Sequence, residues 1–319
     1  DWVNDKKHGK GFSIDGQGNS YKGDFLDDEM EGEGTYTFKS GNTYVGTFAK
    51  GKKHGKGIFT YENGDSYEGE FRFGNMEGQG IYKFANGNVY HGEWKDDKSH
   101  GKGKYIFKNG NTYIGDFSNG KEDGKGVYTY SNGEKYEGDF KSGKRTGLGT
   151  FSFKNGNTYE GEFWNGVKNG IGTFKYPNGN IYEGEWKDGL PHGEGTLIDE
   201  EGTVFEGKFV EGKPTDGIME FDDGSMYGGG LNEKGLHGTG IIIGEDGTKM
   251  SGTFENGDMH GFFEVTDEEG YYGSGEYKHN KRHGYWREKF PDGSEWDVKY
   301  EDGEIVWSDE RKIELVPDK

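Results

Sequence analysis

The chain has 319 residues, of which 28% are hydrophobic and 16% aromatic, with 63 glycines, 5 prolines and no cysteine. More than half of the apolar inventory is therefore Phe, Tyr and Trp, which excludes a thick aliphatic core and leaves a thin layer of aromatic plates lying on glycine. Disulfides, thiolate metal sites and a cysteine nucleophile are excluded.

Formal net charge is −20, unevenly spread: residues 1–160 hold 24 acids and 23 bases, residues 161–319 hold 35 and 16. An acidic half disfavours nucleic acid and anionic lipid, both of which need clustered Lys and Arg. It favours protein partners with basic surfaces. No apolar run approaches the roughly 18 residues of a membrane-spanning helix, and no signal-peptide pattern is visible. The chain opens DWVNDKKHGKG, without methionine and already inside a repeat, so a preceding segment is expected.

From Tyr21 onward the pair Tyr-x-Gly recurs at Tyr44, Tyr67, Tyr90, Tyr113, Tyr136, Tyr159 and Tyr182, always 23 residues apart. Phe205, Tyr227, Met250, Gly273 and Trp296 carry the register on with degraded sequence. Each unit reads as two short strands, because aromatic or glycine residues alternate with polar ones at period 2 and no helical period occurs. Gly161, between Tyr159 and Phe163, is then one member of a pattern, although glycine ordinarily weakens a strand.

Side-chain parity sets the register. Phe153 and Tyr159 must share a face, which requires a three-residue loop, Lys154-Asn155-Gly156, with Gly156 left-handed. Phe151 then faces Tyr159, Gly149 faces Gly161, and Gly147 faces Phe163. For the preceding connection we expect four residues, Ser142 to Arg145, setting Tyr136 against Phe151, Gly138 against Gly149 and Phe140 against Gly147. An aromatic row containing Tyr136, Phe151, Tyr159, Phe174 and Tyr182 would run beside a glycine row containing Gly149, Gly161 and Gly172. The rings would tip over the glycines and cover them, leaving an aromatic and glycine groove able to receive a partner segment. The predicted fold is all-β: an elongated single-layer antiparallel meander of about thirteen hairpins, a rod of roughly 125 Å. We divide it into regular repeats (1–204), divergent acidic repeats (205–303), and a terminal strand or cap with a tail (304–319).

Residues 182–195, YEGEWKDGLPHGEG, fit the pattern Tyr-x-Gly-x-Trp-x-x-Gly-x-x-His-Gly-x-Gly at every defined position, and Tyr44–Gly57 fits with Phe48 in place of Trp. The chain thereby resembles the MORN (membrane occupation and recognition nexus) repeat family over about residues 1–300. Such arrays are known in ciliary radial-spoke heads, parasite cytoskeletal scaffolds and junctophilins. In plant phosphatidylinositol-phosphate kinases and a SET-domain methyltransferase they accompany separate catalytic domains, which nothing here resembles. The resemblance implies a non-enzymatic scaffold in a large protein assembly of a ciliary axoneme or cytoskeleton. The alternatives are a membrane-apposed phosphoinositide-binding scaffold and the regulatory array of a larger enzyme. The second Gly of His-Gly-x-Gly is replaced by Met219, Phe263 and Trp286, and a bulky side chain there must fill the trough or bend the sheet.

No cofactor, metal or catalytic residue is assigned. His8, His54, His100, His192, His237, His260 and His283 share one repeat slot, which Glu31, Glu77, Asp123, Thr146 and Asn169 fill elsewhere. A polar residue bonding backbone explains the whole set, and slots two strands apart are too distant to share a metal. The Asn-Gly turns all fall on one edge and become acidic late in the chain: Asp199, Glu200, Glu201, then Asp222, Asp223, then Glu245, Asp246, then Asp267, Glu268, Glu269. These are the candidate partner-binding residues. Open end strands would also allow an edge-paired homodimer.

Overall fold

The computed structural model describes residues 1–311, among which no helix occurs. The expected tail lies in residues 312–319, outside the described residues. The chain divides into two compact units, Asp1–Val167 and Lys168–Lys319.

In the first unit β1 (Trp2–Val3) and β2 (Lys6–Lys7) make a small hairpin. The sheet that follows holds β3 (Gly9–Ile14), β4 (Ser20–Leu26), β5 (Glu29–Thr37), β6 (Thr43–Ala49), β7 (Lys52–Thr60), β8 (Ser66–Arg72) and β9 (Asn75–Lys83). It continues with β10 (Val89–Lys95), β11 (Lys98–Ile106), β12 (Thr112–Ser118), β13 (Lys121–Thr129), β14 (Lys135–Lys141), β15 (Lys144–Ser152) and β16 (Thr158–Trp164). At the boundary stands β17 (Val167–Lys175). The second unit contains β18 (Ile181–Lys187), β19 (Leu190–Ile198), β20 (Val204–Val210), β21 (Lys213–Glu220), β22 (Met226–Asn232) and β23 (Gly235–Ile243). Its last strands are β24 (Lys249–Glu255), β25 (Asp258–Thr266), β26 (Tyr272–Lys278), β27 (Lys281–Lys289), β28 (Glu295–Glu301) and β29 (Glu304–Glu310). Within each unit the sheet pairs strands consecutive in the chain, always antiparallel, so the fold is the all-β meander of hairpins that the repeat predicts.

Two kinds of turn alternate. Lys154–Gly156 is the three-residue loop required by parity: Gly156 has φ 89°, its N–H donates to Phe153 O, and Phe153 N–H donates to Asn157 O. Phe151 faces Tyr159, Gly149 faces Gly161 and Gly147 faces Phe163, as expected. The other connection is shorter than expected. β14 ends at Lys141 and β15 begins at Lys144, so only Ser142 and Gly143 turn, both at positive φ (50° and 82°), the conformation that fits the twist of a hairpin. Parity is restored by a bulge after Gly138 rather than by loop length. Tyr136 faces Phe151 and Gly138 faces Gly149, but Phe140 faces Arg145 instead of Gly147.

The core is one layer of rings. Tyr44 is fully buried and its ring lies on the glycines: a Cβ on Gly46 would sit 2.6 Å from the Tyr44 hydroxyl. Phe48 and Phe71 stand on either side of that ring, 5.1 and 5.0 Å away at 86° and 80°. The same herringbone surrounds Tyr21, Tyr67, Tyr90, Tyr113 and Tyr136, each edge-to-face pair adding about 1 kcal/mol beyond burial.

The bulge also explains why the ring is tyrosine. It takes Thr47 out of the ladder between β6 and β7, and the Tyr44 hydroxyl donates to Thr47 O at 2.9 Å. The bond from each tyrosine to the carbonyl three residues on repeats at Tyr67, Tyr90, Tyr113, Tyr136 and Tyr159. In the second unit it recurs at Tyr182 and Tyr227. A backbone acceptor left unpaired there would cost about 1–3 kcal/mol.

Late repeats solve the same problem with other atoms. Phe205 has no hydroxyl, and the Thr215 side chain, in a strand one residue shorter than its counterparts, donates to Lys208 O at 3.2 Å. Where the tyrosine has become Met250 or Gly273, the ring comes from the neighbouring strand. Phe263 lies over Gly252 and Trp286 over Gly275, each within 2.5 Å of a Cβ placed there. Trp286 Nε1–H donates to Glu276 O at 3.0 Å, again the carbonyl three residues past the vacated tyrosine position. Phe263 and Trp286 therefore fill the trough, but Met219 does not replace a trough glycine: Gly217 faces Gly207 in the glycine row, and Met219 stands opposite Phe205 in the aromatic row.

Among the described residues one charged side chain is buried in this core. Glu288 on β27 is 5% exposed. Its Oε1 accepts from Arg282 at 2.7 Å, Tyr300 at 2.8 Å and Tyr271 at 3.2 Å, while the Arg282 guanidinium also lies over the Trp286 ring at 4.5 Å.

Candidate interaction surfaces

The predicted groove residues are core. Tyr136 and Tyr159 in the first unit are fully buried, and Tyr182 in the second is 2% exposed. Phe151 and Phe174 are buried beside them. The tyrosine rings occupy the glycine trough: a Cβ on Gly149 would meet Tyr136 at 2.5 Å. Gly161 pairs with Gly149 in the first unit, and Gly172 with Gly184 in the second. No open channel is left for a partner among these residues.

The opposite face of the first unit is concave. In the first unit a groove of about 970 Å³ is lined by His91, Lys104, Ile114, Val127, Glu137 and Leu148, among others. Lys102 pairs with Asp116 and Lys125 with Asp139 across adjacent strands of this face. Such exposed pairs contribute under about 1 kcal/mol each.

The turn edge differs between the units for a local reason. In the first, the asparagine or aspartate after five of the turn glycines reaches the next repeat: Asn19, Asn42, Asp65, Asn88 and Asn111 each accept from a backbone N–H 20 residues on. Late in the second unit those positions are Thr203, Ser225 and Thr248. The turn aspartates there fold back on their own turns, as Asp15, Asn63, Asn86, Asn109, Asn132 and Asn155 also do in the first unit. Asp199 accepts from Glu201 and Thr203, Asp223 from Ser225, Asp246 from Thr248, and Asp267 from Tyr271. Those bonds hold the carboxyls of Asp223 and Asp246 below the usual range. Of the ten predicted acidic residues, these four build turns. Glu200, Glu201, Asp222, Glu245, Glu268 and Glu269 extend into solvent, all at connections on the same end of the sheet.

Among the described residues the histidine slot does bond backbone through its acidic occupants. Glu31 accepts from Lys50 N–H, Glu77 from Asp96 N–H and Asp123 from Ser142 N–H. At His8, His54 and His283 the Nδ1 atom is buried with no hydrogen-bond partner. Among the described residues no three His, Asp or Glu side chains converge as metal ligands.

Among solved structures the chain is similar to the TCP domain of Drosophila melanogaster SAS-4 in complex with a proline-rich motif of Ana2, at 15% identity and a TM-score of 0.33, over 55% of this chain and 90% of that one. The TCP10c domain of the same organism's Sas-4 gives 12% identity and a TM-score of 0.30, over 47% and 90%. Virginiamycin B lyase from Staphylococcus aureus gives 10% and 0.14, over 83% and 93%. Likeness at this level carries no functional argument. No curated protein matches the chain in sequence. The MORN repeat model matches ten consecutive or near-consecutive segments, continuously over residues 1–204 and again over 274–295. The intervening residues 205–273 are those in which Phe205, Met219, Met250 and Phe263 replace the regular pattern while the hairpins continue. With well over half its length matched and the tyrosine, glycine and bulge device repeated through it, the chain belongs to the MORN repeat family.

Proposed function

We propose that this protein is a non-catalytic scaffold that holds other proteins along a repeat array, within a ciliary axoneme or the cytoskeleton, and that it docks a basic partner along the acidic turn edge of its second unit. The observation carrying this reading is the division of labour at those turns: one aspartate closes each turn, and the remaining carboxylates project together from one edge. Turn formation alone does not require Glu200, Glu201, Glu268 or Glu269. The near-uniform array and its resemblance to cytoskeletal and axonemal members support the setting. Residues 205–303 are then the partner-specific part of the chain.

The test substitutes Glu200, Glu201, Glu268 and Glu269 by Gln, leaving Asp199 and Asp267 to hold their turns. Proteins cross-linked to the tagged chain in ciliated cells are then compared. The basic partner should be lost selectively, with melting unchanged, and the tagged chain should decorate axonemes or cytoskeletal fibres. An unchanged cross-linking profile would remove the acidic edge from the reading. Sedimentation with phosphoinositide vesicles would favour the membrane-apposed alternative.

A further inference from the structure

The buried carboxylate of Glu288 stands where the preceding hairpins of the second unit are apolar. Phe174, Leu197, Met219, Ile242 and Val265 each face the residue that carries the tyrosine register. Glu288 faces Gly273 in the same way, and Glu310 faces Trp296, so the row turns acidic in its last two members. A buried ion pair such as Arg282 with Glu288 is often no more stabilising than apolar packing of the same volume, so packing alone does not account for the change. The bonding of Glu288 is also lopsided. Arg282, Tyr300 and Tyr271 all donate to Oε1, and among the described residues none donates to Oε2.

Glu288 lines a recess of about 480 Å³ on the core side of β27, β28 and β29. Glu288, Trp296 and Glu310 are in register across these three strands, so an indole stands between two carboxylates. Val298 and Ile305 supply apolar wall, and Asp292 borders the space as a third carboxylate, one of its oxygens held by Ser294 N–H. The three carboxylates outnumber the Arg282 guanidinium by two, which disfavours an anion. A metal ion needs several oxygens at about 2–2.5 Å, and no such cluster occurs among the described residues. An ammonium or guanidinium head needs one good acceptor, gains from an aromatic face, and lays its stem along apolar surface.

We propose that this recess binds a primary ammonium or guanidinium group on an apolar stem. The head donates to Glu288 Oε2 beside the Trp296 indole, and Glu310 draws it in. It belongs to a free organic amine or to a lysine or arginine side chain of a partner. The site shares no residue with the acidic turn edge assigned to the scaffold, so either reading can fail alone.

Isothermal titration calorimetry of the full chain tests it with three probes. These are hexylamine, hexan-1-ol with the same stem and no charge, and a capped glycine pentapeptide with one central lysine. Hexylamine should bind about tenfold or more tightly than the alcohol, and salt should weaken it. Glu310→Gln should weaken hexylamine by about tenfold with melting unchanged, since Glu310 is exposed. Arg282→Met combined with Glu288→Met removes the buried pair as a unit; it should melt near the parent and lose binding. Tighter binding of the peptide than of hexylamine assigns the head to a partner side chain, and the reverse assigns it to a free amine. Equal binding of hexylamine and the alcohol overturns the proposal, as does hexylamine binding unchanged in Glu310→Gln. If the paired variant unfolds, Glu310→Gln decides alone.

Discussion

A methyl group on Gly46 would lie 2.6 Å from the Gly57 Cα and 2.6 Å from Lys56 O, both backbone atoms that cannot yield. Gly46→Ala should therefore cost about 2–3 kcal/mol, read by urea unfolding and by faster amide exchange in β6 and β7. Glu160→Thr, on the open face, should stay within about 0.5 kcal/mol. Equal stability of the two variants would refute the packed trough. At this scale the sequence is informative, because period-2 alternation of Tyr, Gly and Phe places the rings and the glycines on one face. The tyrosine hydroxyl is not legible in the same way. Its acceptor, the carbonyl three residues on, is released only by a bulge, and bulge position depends on pairing rather than on alternation. Nor could alternation show that Tyr136 or Tyr159 would close the trough completely and leave no groove.

Within a hairpin, two routes satisfy the same parity: a four-residue loop, or a two-residue turn with a bulge. We expected the first from Ser142 to Arg145, and the structure adopts the second. The positive φ of Ser142 and Gly143 matches strand twist, and the buried hydroxyl from Tyr136 stabilises the bulge. The replacements at Phe263 and Trp286 were legible as a choice between filling and bending; the strand supplying the ring decides it. Because Trp286 Nε1–H and the Tyr67 hydroxyl serve equivalent carbonyls, Trp286→Phe and Tyr67→Phe should each lose about 1–2 kcal/mol. Thermal unfolding monitored by near-ultraviolet circular dichroism would measure both. A Trp286→Phe variant as stable as the parent would mean that its indole serves only to fill space.

Across the whole molecule, buried phenols make alkaline stability a collective property. Burial pushes Tyr21, Tyr136, Tyr182 and Tyr271 up to about 12, and raises Tyr44, Tyr67, Tyr90, Tyr113 and Tyr159 in the same direction. An unfolded phenol ionises near pH 10. Above that pH the unfolded chain binds fewer protons than the folded one, so stability is full below pH 10 and falls as pH rises toward 12. Tyrosinate absorbance and strand circular dichroism should change together in that window. Independent titration of the phenols at pH 10 with strands intact would contradict the herringbone core. Function was less legible than fold, because turn acids and outer-face side chains are the positions the repeat leaves unconstrained. Asp199 and Glu200 look alike in sequence, yet only Asp199 is bonded into its turn. That each strand pairs only with its chain neighbours among the described residues has an evolutionary consequence. Duplicating or losing one complete unit recreates the interfaces already present, so recombination can change the reach of such an array without new packing having to be invented.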